Sequence, residues 1–222
     1  MRVYHFINKE YGIEDLRRRR LKIATLNELN DSFEFYGVGL SDENIRRGFK
    51  KMKDEISLTH GLLCFSKDWH NPVQWSHYAD KHRGLCLGLE IPFEVFTESF
   101  GSVYYSRKRF KVNPEQLINH RQLDHETLMK LLFTKYVHWK YENEVRSFVT
   151  LDEKDTEKNM YFVEFSDKLK LVQVVVGAEA SATREDISTA LGDLNPIVEV
   201  FKARLAFKTF RVVRQRNQKL WA

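Results

Sequence analysis

The chain has 222 residues, 42% hydrophobic and 30% charged, which is enough apolar material for one sizeable core and too much for a disordered chain. No apolar run approaches the ~20 residues of a membrane-spanning helix, so no membrane partner is expected. The N-terminus enters Arg2-Val3-Tyr4-His5-Phe6-Ile7 directly, without a visible signal peptide, and the only two cysteines, Cys64 and Cys86, lie in apolar runs that suit buried free thiols; a cytoplasmic protein is expected.

In chain order, a strand over residues 2–7 leads to a short helix at Ile13–Arg20 and a second strand at Leu21–Thr25. The polar turn Asn27–Phe35 follows, then a helix over Ser41–His60, then apolar Leu62–Phe65 as a buried strand. Pro72 suits a first helical turn and predicts a helix to about His82. Strands follow at Gly84–Ile91 and Ser102–Ser106, with one or two helices across Pro114–Val137. Further strands are expected from Glu144, at Met160–Phe165 and at Leu169–Gly177. A helix over Ala182–Leu191 is capped by Thr183, with Glu185 and Asp186 in its first turn, and strands near Ile197–Ala203 and Phe207–Val213 close the chain. The expected class is α+β, with mixed, mostly antiparallel sheets flanked by helices, in a single domain spanning 1–222. Strict βαβ alternation, a Gly-x-Gly-x-x-Gly turn and a Walker loop are all missing, which argues against doubly wound and P-loop chemistry.

The net charge of +5 is unevenly spread. Arg17–Arg20 are consecutive; Arg46, Arg47, Lys50, Lys51 and Lys53 form a second cluster, and Arg107, Lys108, Arg109 and Lys111 a third. From Lys202 onward there are seven basic residues and no acidic one. Such clusters attract polyanions by counterion release, making nucleic acid the first partner to consider; ordinary solvated surface is the plainer alternative.

Two segments concentrate side chains with chemistry. In Glu142-Asn143-Glu144-Val145-Arg146-Ser147, period-two geometry sends Glu142, Glu144 and Arg146 to one face. Paired carboxylates at a strand entrance suit polarising or deprotonating a hydroxyl, whereas a solvated edge strand with Arg146 neutralising its neighbours is the plain reading. In the second segment, Cys64 to Gly84, a helix from Pro72 would align Trp75, Tyr78, Ala79 and His82. Their rings suit stacking on a planar heterocycle, although Trp75 and Tyr78 equally suit packing onto a sheet. The spacing of His70, His77 and His82 fits no familiar zinc arrangement, so no metal is expected. Ser66 and Ser76 have histidines nearby but no Gly-x-Ser-x-Gly elbow. His5 is a strand histidine, and Asn30-Asp31-Ser32-Phe33-Glu34 is a turn whose acids suit capping.

The blocks Val3–Phe6, Leu29–Glu34, Cys64–Ser66, Trp75–Asp80, His82–Leu87 and Lys140–Arg146, in that order, resemble a bacterial family of uncharacterised domains associated with abortive infection and phage defence. Ser32 stands where that family usually has proline, which affects only the turn. The plan is also similar to ADP-ribosyltransferase toxins of the His-Tyr-Glu type. That second resemblance implies NAD as substrate, with His5 on the nicotinamide-side ribose, Tyr78 stacking on nicotinamide, and Glu144 on the ribose 2′-hydroxyl. Glu142 would engage the target, with Trp75 and Arg146 beside the dinucleotide, and Arg17–Arg20 or Arg46–Lys53 at the pyrophosphate or a target backbone. It also implies an ADP-ribosyltransferase-like fold; with the excess basic charge, nucleic acid (RNA before DNA) is the expected acceptor, and an antitoxin protein is a further expected partner. Two rivals from other classes remain: a non-catalytic nucleic-acid sensor, and a metal-dependent nuclease drawing on Asp31, Glu34, Glu142 and Glu144.

Overall fold

Residues 1–111 and 124–221 are described by a computed structural model, so the part of the predicted Pro114–Val137 helices before residue 124 lies outside the described residues. The chain opens with β1 (Arg2–Ile7), over the residues where a first strand is expected. Asn8 then accepts from the Tyr11 amide (2.9 Å) and starts α1 (Lys9–Arg18) earlier than the apolar spacing suggests. Arg19, at φ 57°, ends that helix and feeds β2 (Arg20–Thr25). Asp42 caps α2 (Glu43–Thr59), an amphipathic helix that buries Phe49 and Met52 against Leu26, Phe35, Leu62, Leu131 and Leu132.

The strand β3 (His60–Ser66) precedes α3 (Pro72–Tyr78). Helix α3 stops short of the predicted His82, because Asp80, Lys81 and His82 take up left-handed backbone at φ 43°, 52° and 69°. Gly84 closes this turn where the Ile7 carbonyl oxygen would lie 2.1 Å from any Cβ, a contact only glycine allows. Next come β4 (Leu85–Glu90), the unpredicted helix α4 (Phe93–Ser99), and the short strands β5 (Phe100–Ser102) and β6 (Tyr104–Ser106). Within the predicted Pro114–Val137 helical stretch, the described part is α5 (His125–Phe133) followed by β7 (Thr134–Tyr136), which pairs in parallel with β6. A 3₁₀ helix over Val137–Glu142 leads to β8 (Glu144–Thr150). The remaining elements are β9 (Lys154–Asp155), β10 (Met160–Glu164), β11 (Lys170–Val176), α6 (Arg184–Leu191), β12 (Glu199–Leu205) and β13 (Val212–Arg214). Thr183 and Asp186 form a complete capping box on α6.

The protein is mixed α+β, with a mostly antiparallel open sheet in the order β13-β12-β11-β4-β1-β3-β2-β10-β9; β8 pairs with both β3 and β5. Among these pairs only β11–β12 is parallel. Strand β4 is covered on both faces, which explains its unbroken apolar run. Leu85, Leu87 and Leu89 join Leu16, Ile187 and Leu191 of the helices α1 and α6, whereas Cys86 joins Trp69, Trp75 and Phe201. No helix among the described residues is long and apolar enough to cross a membrane.

Burial pushes the Asp15 carboxyl of α1 up to about 7, with Arg20 only partly opposing it, and its Oδ2 has no hydrogen-bond partner. A raised folded-state value means that the native chain holds a proton which the unfolded chain releases, so this contribution is complete below about pH 4 and is lost as pH rises to 7. Urea titrations of Asp15→Asn and wild type should therefore match near pH 4, with the variant more stable by ~2 kcal/mol or more at pH 8.

Candidate active site

The candidate site lies where the sheet divides. One edge of β3 pairs with β8 along its whole length, from His60↔Thr150 to Ser66↔Glu144. Its other edge is shared: β2 takes Gly61 and Leu62, and β1 touches only at Tyr4↔Ser66. Backbone groups alternate sides along a strand, so Cys64 is the residue that faces the gap between these two partners. His5 fills the vacancy, its Nδ1–H donating to the Cys64 carbonyl oxygen at 3.2 Å. A carbonyl only accepts, so Nδ1 carries the proton and Nε2 keeps the lone pair. Burial lowers the His5 pKa, favouring this neutral form despite the Cys64 bond.

A cavity of about 770 Å³, counting its open mouth, occupies the gap, and His5, Tyr78, Glu142, Glu144 and Arg146 all contribute to its lining. Trp75 does not line it. This indole is fully buried against Phe6, with its N–H bonded to the Trp69 carbonyl (2.6 Å), so Trp75 holds α3 to the sheet while Tyr78, three residues on, reaches the cavity.

The cavity's inner wall is an ionic lattice. Arg146 has no solvent exposure; its Nε and Nη2 grip the two oxygens of Glu144 (2.9 and 2.8 Å), and its Nη1 reaches Glu34 (2.7 Å) and the Leu132 carbonyl (2.8 Å). Lys135 Nζ lies 2.7 Å from Glu142, 3.0 Å from Glu144 and 3.5 Å from Glu34. Three carboxylates thus face two cations. Glu142 and Glu144 are not two positions of one strand, as their spacing suggests. Glu142 ends the 3₁₀ helix, left-handed Asn143 (φ 46°) turns the chain, and β8 begins at Glu144. The two acids meet through Lys135 instead.

Their environments differ sharply. For Glu144, Arg146 and Lys135 outweigh the cost of burial and hold the carboxyl down at about 2. Burial pushes Glu142 the other way; Lys135 offsets only part of this, and the neighbouring Glu144 adds to it. Tyr78 donates its hydroxyl to Glu142 Oε1, and burial together with that carboxylate raises the phenol's own pKa. Backbone support for Glu142 is dense. Ser66 Oγ donates to the Glu142 carbonyl (2.7 Å), and Gln74 Nε2 bonds both Ser66 Oγ (3.0 Å) and the Tyr141 carbonyl (3.2 Å). Cys64 is a poor nucleophile here, because burial raises its thiol well above the ordinary value.

Sequence reasoning missed Lys135 and Gln74, and it read Glu34 as part of a turn or as a metal-binding carboxylate. The Asp31 turn is present, with Oδ1 accepting from the Phe33 amide (2.8 Å), and it delivers Glu34 to Arg146. A lone lysine between Thr134 and Tyr136 carries no sequence signal of its partners. Arg17–Arg20 and Arg46–Lys53 do not line the cavity. Arg18, Arg19 and Arg20 pair with Glu157, Asp193 and Asp155, and Arg47 pairs with Glu43. A neighbouring cavity that shares Lys135 is lined by Arg107, Lys108 and Arg109 together with Phe33 and Tyr136. Among the described residues, no group of three or more His, Cys, Asp and Glu is arranged to hold a metal ion.

Residues 74–147 match a family described as a protein of unknown function, DUF2971. The match includes Tyr78, Lys135, Glu142, Glu144 and Arg146 but neither His5 nor Glu34, so the cavity is built from inside and outside it. No curated protein and no solved structure matches the chain.

Removing one partner of a buried ion pair strands the other charges. Arg146→Ala should therefore cost ~3–5 kcal/mol in urea unfolding. Arg146→Lys should recover little of the loss, since an ammonium cannot span both oxygens of Glu144 and also reach Glu34.

Proposed function

We propose that the protein transfers ADP-ribose from NAD to a nucleic-acid acceptor, RNA before DNA, as the growth-arresting component of a phage-defence or toxin–antitoxin system. One observation carries this reading. His5 and the acids Glu142 and Glu144, more than a hundred residues apart along the chain, line a single cavity with Tyr78. The excess carboxylate there complements the positive charge of the nicotinamide ring and the oxocarbenium character of the ribose as the glycosidic bond breaks. The NAD diphosphate would be repelled by that wall; the neighbouring cavity with Arg107, Lys108 and Arg109 offers it compensating charge.

The two acids divide the work. Glu144, held ionised by Arg146 and Lys135, supplies a fixed negative field. Glu142, with the raised pKa, is the better base. The C1′–N bond breaks with its electron pair leaving on nicotinamide, the acceptor oxygen or nitrogen attacks C1′, and the acceptor's proton passes to Glu142. Tyr78 orients Glu142 through its hydroxyl and offers its ring to nicotinamide, and His5 Nε2 is free to accept from a ribose hydroxyl.

Purified protein incubated with adenylate-labelled NAD and RNA should release nicotinamide and label the RNA. Glu142→Gln should lower the rate at least ~100-fold without unfolding the chain. Wild-type protein that binds RNA but leaves NAD intact would overturn the assignment in favour of a non-catalytic sensor, and RNA cleavage strictly dependent on magnesium would favour a nuclease.

The pH profile gives a second check. Activity requires ionised Glu142, so it should rise with pH through a limb above the ordinary glutamate range. The Tyr78 hydrogen bond favours the ionised form; Tyr78→Phe should raise the Glu142 pKa further and move that limb to higher pH. A limb that stays in place would remove Glu142 from the role of base.

A further inference from the structure

The segment joining β12 to β13 displays two phenylalanines almost completely to solvent, Phe207 at 90% and Phe210 at 98% exposure. They do not project from a loose end. The strands pair at Ala203↔Arg214, Arg204↔Val213 and Leu205↔Val212, and Ala206 bonds back to the Arg211 carbonyl (2.9 Å). Buried Val212 is clasped from both sides by His70, whose carbonyl accepts from the Val212 amide (2.8 Å) and whose Nδ1 bonds the Val212 carbonyl (2.7 Å). The rings are therefore held away from any core that would cover them.

The surroundings are cationic. Arg204 lies over the Phe207 ring at 4.5 Å, leaving the opposite ring face free. At the base of the hairpin, a pocket of about 540 Å³, counting its open mouth, is lined by Arg184, Lys202, Arg214 and Arg216, with Asn217 and Gln218. Arg214 pairs with Glu199, but Arg184, Lys202 and Arg204 donate to backbone carbonyls, of Trp221, Ala180 and Leu205 respectively, and among the described residues no carboxylate side chain pairs with them. Lys208 and Arg211 lie in the same connecting segment.

We propose that this hairpin and its basal pocket form a binding surface for single-stranded nucleic acid, with unpaired bases stacking on Phe207 and Phe210 and the phosphate backbone running past Arg184, Lys202 and Arg216. Exposed rings beside uncompensated cations are the combination that single strands require, whereas paired bases would keep their faces from the phenylalanines. A membrane-inserting tip also carries exposed aromatics, but a concave pocket of cations and amides suits phosphates and base edges rather than a bilayer plane. The surface supplies the acceptor side of the transfer proposed above, yet its binding does not depend on that chemistry.

The test measures fluorescence anisotropy of labelled single-stranded RNA, single-stranded DNA and duplex DNA with the full chain in the absence of NAD, alongside sedimentation with phosphatidylserine vesicles. Single strands should bind more tightly than duplex, with a slope of about −3 in log K against log salt for about four phosphate contacts. The double variant Phe207→Ala/Phe210→Ala should weaken single-strand binding at least ~10-fold, and Lys208→Glu/Arg216→Glu should both weaken it and flatten the salt slope. Because no NAD is present, the assay separates failure of this surface from failure of the transfer chemistry. Unchanged RNA affinity in both double variants would overturn the proposal, as would phenylalanine-dependent binding confined to the vesicles.

Discussion

A guanidinium with no access to solvent needs its charge and its N–H donors answered, and Arg146 draws its answers from three parts of the chain. Glu144 comes from its own strand, Glu34 from the turn after β2, and the Leu132 carbonyl from the end of α5. Lys135 then bridges Glu34, Glu144 and Glu142. In a low-dielectric interior such a lattice is costly to form and more costly to break, so its presence fixes the mutual positions of the turn, the helix end and β8.

The lattice also gives the two glutamates different characters. With both oxygens gripped by Arg146, Glu144 has little freedom to exchange protons at neutral pH. Glu142 has Lys135 on one oxygen and a phenol on the other, and burial raises its proton affinity. Two carboxylates with opposite shifts in one cavity are a recurring arrangement for separating an electrostatic role from a proton-transfer role. The split in the sheet makes the arrangement accessible, because a continuous β1–β3 ladder would close the gap that His5 bridges.

Local patterns were informative where one segment determines its own structure. The strand over residues 2–7, the Thr183 cap and the apolar run of β4 each depend on side chains within one segment. Boundaries failed where a short-range backbone effect intervened. Left-handed Asp80–His82 cuts α3 short, and left-handed Asn143 removes Glu142 from the strand that seemed to contain it. The acid-free run after Lys202 was readable as charge, but nothing in it showed that Phe207 and Phe210 stand exposed rather than packed.

By itself, the amino-acid order determined the α+β class, most of the elements and the list of residues with chemistry to offer, because propensity, capping and periodicity act over a few neighbouring positions. Only the tertiary structure decided which of those residues meet. Trp75 and Tyr78 lie three apart on one short helix, yet one ends in the core and the other in the cavity. Lys135 is anonymous in the sequence and central in space. Those outcomes follow from long-range strand pairing and from the need of each buried charge for a partner, and neither constraint is written in local spacing.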